Sequence, residues 1–192
     1  MLDNTKTITM LQRVRVINPS CISRCIHSGV RTYATARPSA PPPQPTAEET
    51  AKVNSVYQRM GVDLSDAELM TQAVTHKSFA HGSVPTNERL THLGRTFLEM
   101  HLAEKKWDTV KSTKTLRSSI AHVLKAEKMA KVARSMGVDE VMRWKSPSTT
   151  PGSKAGEETV LAQTLEAIVG AVYHDKGSKV AREFVSKHIY TY

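Results

Sequence analysis

Four polar side chains, Glu88, Thr91, Arg95 and Glu99, recur at i, i+3, i+7 and i+11 and so line one face of a helix predicted over 87–102, NERLTHLGRTFLEMHL. The other face carries Leu90, Leu93, Phe97 and Met100. A further acid, Glu166, stands on a predicted helix that is otherwise Leu161, Leu165, Ile168, Val169 and Val172. A carboxyl group in such surroundings must be ion-paired, hydrogen-bonded or protonated, because burying a bare charge costs too much. His76 stands beside Ser78 in THKSFAH, residues 75–81, and is read as a hydrogen-bonded structural residue. Cys21 and Cys25 have no second pair and no nearby His to complete a zinc set, so they take no role.

The remaining chemistry is charge. Residues 105–145 hold eleven Lys/Arg against four acids. Lys105, Lys106, Lys111, Lys114 and Arg117 gather around one inter-helix loop, which points to a polyanion such as nucleic acid. For Lys125, Lys128, Lys131 and Arg134 the alternative of simply solvating a helix face stays open. The tyrosines and phenylalanines show no arrangement that suggests base stacking.

The elements that must position these residues are all helical. Thr46 can cap a helix with Glu48 and Glu49 in its first turn and Val53, Val56, Tyr57 and Met60 at helical spacing, ended by Gly61. A second helix follows the Ser65-Asp66 cap, and the loop GSVPT leads to Asn87 as the N-cap of the next. Two amphipathic helices are expected over 112–124, with Leu116, Ile120, Val123 and Leu124, and over 127–136. Residues 146–156, SPSTTPGSKAG, read as a loop. The stretch 157–175 is apolar almost all round, as a helix at the centre of a fold would be, Gly177 breaks it, and a last helix runs through Val180, Phe184, Val185 and Ile189. With no period-2 alternation, the fold class is all-α.

Composition bounds the rest. A chain of 192 residues, 39% hydrophobic, has no apolar run approaching the ~18–20 residues of a membrane span, so no membrane is expected. Of the net +9, residues 1–45 carry +5, with Arg13, Arg15, Arg24, Arg31 and Arg37 among Ser, Thr and short apolar residues. That is the composition of a mitochondrial transit peptide, assigned to residues 1–33 because Arg31-Thr32-Tyr33-Ala34 resembles the Arg-x-Tyr site of the matrix processing peptidase. A basic arm retained for RNA is the alternative. Residues 34–46 are a Pro-rich linker, and one folded domain is expected over 47–192.

Taken together, NERLTHLGRTFLEMHL, THKSFAH, the basic middle helices and VLAQTLEAIVGAVYHDKG resemble, in order and spacing, the motifs of the ribonuclease III catalytic domain. The resemblance covers about residues 53–188 and implies that helical fold, and the chain's end at Tyr192 implies no double-stranded RNA-binding domain. It also implies a site in which carboxylates from the two conspicuous helices hold two Mg²⁺ ions for phosphodiester hydrolysis. The four core positions fall on Thr91, Arg95, Gln163 and Glu166, with Glu88 at the edge, and only Glu166 among the four is acidic. Mg²⁺ demands hard anionic oxygens and a guanidinium repels it, so no metal, no other cofactor and no catalytic residue is expected. Instead Arg95 is expected to reach Glu166 and replace the ions with a direct pair, helped by Gln163 and Glu88. The aromatic residue through which the family packs its homodimer is His92 here, which points to an asymmetric use of the same surface.

These features resemble the degenerate ribonuclease III-like proteins of the fungal mitochondrial large ribosomal subunit. The implied function is structural, in the matrix, with rRNA, mitochondrial ribosomal proteins and a second ribonuclease III-fold subunit as partners and no small-molecule substrate. A processing nuclease active only with a partner, and a transient assembly factor, remain the alternatives.

Overall fold

Helix α3 (Glu88–Lys106) and helix α6 (Glu157–His188) form the most extensive helix pairing among the described residues, and the other helices pack on one of these two or on each other. The computed structural model describes residues 43–146 and 156–190. The transit-peptide assignment, most of the linker and most of the 146–156 loop lie outside the described residues.

Helix α1 (Ala47–Met60) starts with a reciprocal capping box, in which Glu49 N donates to Thr46 Oγ1 and Thr46 N donates to the Glu49 carboxylate. Val53, Val56, Tyr57 and Met60 are buried, and Gly61 closes the helix in the left-handed conformation. Helix α2 (Ala67–Ala73) is capped by Asp66, whose carboxylate accepts from Glu68 N at 2.8 Å. Asn87 precedes α3 without capping it: its buried side chain donates to Ala73 O at 3.3 Å, so the residue ties α2 to α3.

Helix α4 (Thr113–Val123) buries none of its residues. Leu116, Ile120 and Val123, expected to form its packed side, are only half-buried, and Leu124 just past its end is buried. Helix α5 (Ala126–Ser135) buries Met129, Ala130, Val132 and Ala133 against α6. Among the described residues there is no strand. One isolated parallel bridge, Thr75 to Arg143, holds the segment after α2 to the segment after α5, with His76 N donating to Arg143 O and Arg143 N to Val74 O at 2.9 Å each.

The expectation for α6 holds in its first half, where residues 160–172 are buried except for Gln163. Gly177 (φ 79°, ψ −178°) interrupts the helix as expected, in a backbone region closed to residues with a Cβ. Just before it, the Asp175 carboxylate accepts from Ser65 N at 2.8 Å and fastens α6 to the start of α2. Beyond it Ala181, Phe184, Val185 and Ile189 are buried, while Val180 is exposed. None of the described helices is long and apolar enough to cross a membrane.

Candidate functional site

The site lies where α3 and α6 approach without side chains between them. A Cβ on Gly94 would fall on the carbonyl of Glu166 and 2.7 Å from Gly170 N, and one on Gly170 would fall on the carbonyl of Leu90. The two glycines therefore set the interhelical distance. The buried stripe of α3 is Leu90, Gly94, Phe97, Leu98, His101 and Leu102, a rotation from the expected Leu90, Leu93, Phe97 and Met100; Met100 is 47% exposed and Leu93 half-buried.

That rotation brings the polar face of α3 against α6. Glu88, Thr91, His92, Arg95, Gln163 and Glu166 line one cleft of about 350 Å³, together with His76, Lys77 and Asn87. Thr91 Oγ1 lies 3.0 Å from Asn87 O and 3.2 Å from Gln163 O, so its hydroxyl links the two helices. The Glu166 side chain is 4% exposed and its carboxylate accepts from Arg95 Nη1 at 3.1 Å. Arg95 Nε donates to Glu99 at the same distance, so one guanidinium serves two carboxylates, with 52% of the Arg95 side chain still exposed.

Glu88 takes no part in that pair. Its carboxylate is held by Lys77 at 3.2 Å, which corrects the expectation that it would assist Arg95. Burial pushes the Glu166 carboxyl above the usual carboxylate range, and the neighbouring Arg95 charge offsets only part of that shift. His76 is fixed by hydrogen bonds: Ser78 N donates to its Nδ1 at 3.2 Å, and Ser78 Oγ in turn accepts from Lys145 N at 2.9 Å. Its imidazole is held below the usual range chiefly by burial. His92 is exposed on the cleft's edge.

The divalent ions implied by the sequence motifs do not fit these side chains. Thr91, Arg95 and Gln163 offer a hydroxyl, a guanidinium and an amide, the Arg95 guanidinium holds the Glu166 carboxylate, and the Glu88 carboxylate is held by Lys77. Among the described residues no group of three or more His, Cys, Asp or Glu is placed to hold a metal ion. What the arrangement does chemically is neutralise a buried acid internally.

The basic cluster lies at the other end of α3. Lys105 and Lys106 are in its last turn, Lys111 is in the connection, and Lys114 and Arg117 are on the first turns of α4. None of these five forms an ion pair with an acid among the described residues. By contrast Lys131 is paired with Glu127 at 2.8 Å, and Arg134 lies 3.6 Å from Glu157. Among the described residues Lys131 and Arg134 are thus compensated by acids, whereas Lys105, Lys106, Lys111, Lys114 and Arg117 are not. Trp107, to which the sequence gave no role, and Tyr190, one of the tyrosines in which it showed no stacking arrangement, are 69% and 45% exposed. The available signal was a tryptophan following two lysines at a helix end.

An all-helical unit built on a glycine-mediated crossing, with a polar cleft on that crossing, defines the class. Residues 66–192 match the family described as Ribonuclease-III-like, and the chain belongs to that family. It is 33% identical over 141 residues to Ribonuclease 3 of Thermobifida fusca, covering 71% of this chain and 58% of that one. It is also 33% identical over 139 residues to Ribonuclease 3 of Pseudomonas fluorescens SBW25, covering 71% and 59%. The chain thus spans less than two thirds of the length of these relatives. The nuclease domain of ribonuclease III from Campylobacter jejuni, which shows structural flexibility in the region of its dimer formation, superposes with a TM-score of 0.63 at 25% identity. That superposition covers 72% of this chain and 96% of that domain.

Proposed function

We propose that this chain is a structural component of the mitochondrial large ribosomal subunit, a ribonuclease III-fold domain that binds rRNA and neighbouring proteins and does not hydrolyse RNA. The observation that carries the reading is Arg95 seated 3.1 Å from the buried Glu166 carboxylate, where the family's chemistry calls for metal ions. The five uncompensated cations at the α3–α4 connection support an RNA contact, since a polyanion is the partner that such a surface lacks. The composition of residues 1–45 supports delivery to the matrix. A second ribonuclease III-fold subunit is the proposed close partner, docked on the α3 surface around the exposed His92; the dimer formation named for the Campylobacter jejuni domain supports the use of such a surface.

Two measurements test this. In mitochondrial extracts sedimented at raised salt, the chain should remain with the large subunit, whereas a transient assembly factor would wash off. Incubated with double-stranded RNA in Mg²⁺ or Mn²⁺, it should release no fragments. Metal-dependent cleavage that Glu166→Gln abolishes would overturn the reading in favour of a processing nuclease.

A further inference from the structure

A shallow groove of about 190 Å³ opens beside the C-terminal end of α3, apart from the cleft at the helix crossing. Its floor is apolar, formed by Val123, Met129, Val132 and Ile189, and Tyr190 stands at its edge, 45% exposed. Two lysines flank it. Among the described residues Lys106 makes no ion pair and Lys128 donates only to His122, at 2.8 Å, so no described acid neutralises either ammonium. Trp107, the next residue after Lys106, is 69% exposed.

An apolar slot edged by an aromatic ring, with unneutralised cations at its mouth, has the chemistry of a nucleobase and its phosphates. The base gains dispersion and stacking from the floor and ring, while the lysines take the backbone charge. A duplex hides its bases and could use only the lysines. We propose that this groove seats an unpaired base of an RNA strand, with Tyr190 as its stacking partner, Lys106 and Lys128 as phosphate contacts and Trp107 as a second stacking surface for the adjoining nucleotide. The proposal rests on the rRNA reading and deepens it, because it assigns single-stranded or bulged RNA to this end of the molecule. The neighbouring Lys111, Lys114 and Arg117 supply contacts indifferent to pairing.

The test uses the 192-residue chain carrying Trp144→Phe, which leaves Trp107 as the sole tryptophan. The probes are a single-stranded oligoribonucleotide of about 12 nucleotides and a blunt duplex of the same length. The single strand should quench Trp107 fluorescence and bind about 10-fold more tightly than the duplex. With binding read by fluorescence anisotropy of an end-labelled strand, Tyr190→Ala and Trp107→Ala should each weaken the single strand about 10-fold without changing the salt slope, while Tyr190→Phe, which keeps the ring, should bind as before. Lys106→Gln should lower the slope instead. Both aromatic positions are exposed, and circular dichroism checks that each variant folds. Equal binding of both probes, with neither quenching nor a loss in the aromatic variants, overturns the base site and leaves the rRNA reading standing on the salt slope. Failure to bind either probe overturns both.

Discussion

Gly94 and Gly170 meet backbone to backbone at the crossing of α3 and α6, so that neither position has room for a Cβ. This contact sets which side of α3 faces α6, and with it the placement of Thr91 beside Gln163 and of Arg95 beside Glu166. Gly94→Ala must push the helices apart, because the obstructing atoms are main chain and cannot rotate away. The variant should lose about 3 kcal/mol or more, read by urea unfolding, where overpacking at a yielding site costs ~1–3. A Gly94→Ala chain with unaltered stability would show that the crossing is looser than this contact requires.

The Arg95–Glu166 pair should be worth less than a fully buried one. With the guanidinium half exposed and shared with Glu99, Arg95→Ala should cost about 1–3 kcal/mol near neutral pH, below the ~3–5 of breaking a fully buried pair. Arg95→Asp should show no metal-dependent cleavage of double-stranded RNA, since Thr91 and Gln163 still offer no carboxylate.

The pH dependence of that pair has a definite sign. The folded Glu166 carboxyl lies above its ordinary value because of burial, so the folded state binds its proton more tightly than the unfolded chain. Its contribution is fully present below the ordinary glutamate range and is lost as pH rises through the raised folded value. Glu166→Gln should remove this fall, so the difference between variant and wild type should move in the variant's favour as pH rises from about 4 towards 7. Parallel stability curves for the two proteins would contradict it.

The histidines act in the opposite sense. Burial is the leading cause holding His76, His101 and His188 below the usual imidazole range, so the unfolded chain binds more protons. Their contribution is present above about pH 6.5 and is lost as pH falls below it. His101 should weigh most: it is 3% exposed, stacked on Phe97, and neither ring nitrogen has a hydrogen bond. Its nearest ion-pairing atom, on Glu104, is 3.7 Å away. His101→Leu should flatten the acid limb of the stability curve while changing stability at pH 7.5 by no more than about 1 kcal/mol.

RNA binding should separate the cations without an acid partner from those that have one. Replacing Lys111, Lys114 and Arg117 together by Gln should reduce the slope of log affinity against log salt by about one unit per lost phosphate contact. Replacing Lys131 and Arg134, which already face Glu127 and Glu157, should change it little. Equal effects from both sets would return Lys111, Lys114 and Arg117 to the role of a solvated face.

What the sequence determined by itself was the local part of this protein. Helix starts were legible at Thr46 and Asp66 because a capping side chain and its amide lie within a few residues of each other, and the break at Gly177 because one residue type owns that backbone region. The burial of Glu166 was legible because its helix neighbours are apolar. Tertiary structure decided what depends on contacts distant in the chain. Helical periodicity locates an apolar stripe only to within about one position, and the Gly94–Gly170 approach turned α3 so that His101 went inside and Met100 outside. Asn87 gave its side chain to Ala73, Glu88 went to Lys77, and Arg95 was divided between Glu99 and Glu166. Each of these partners is chosen by reach and direction in space, which residue spacing along a chain does not encode. The groove between Lys106 and Tyr190 has the same origin: it joins residues 84 positions apart (190 minus 106), and only the return of α6 alongside α3 and α5 places them together.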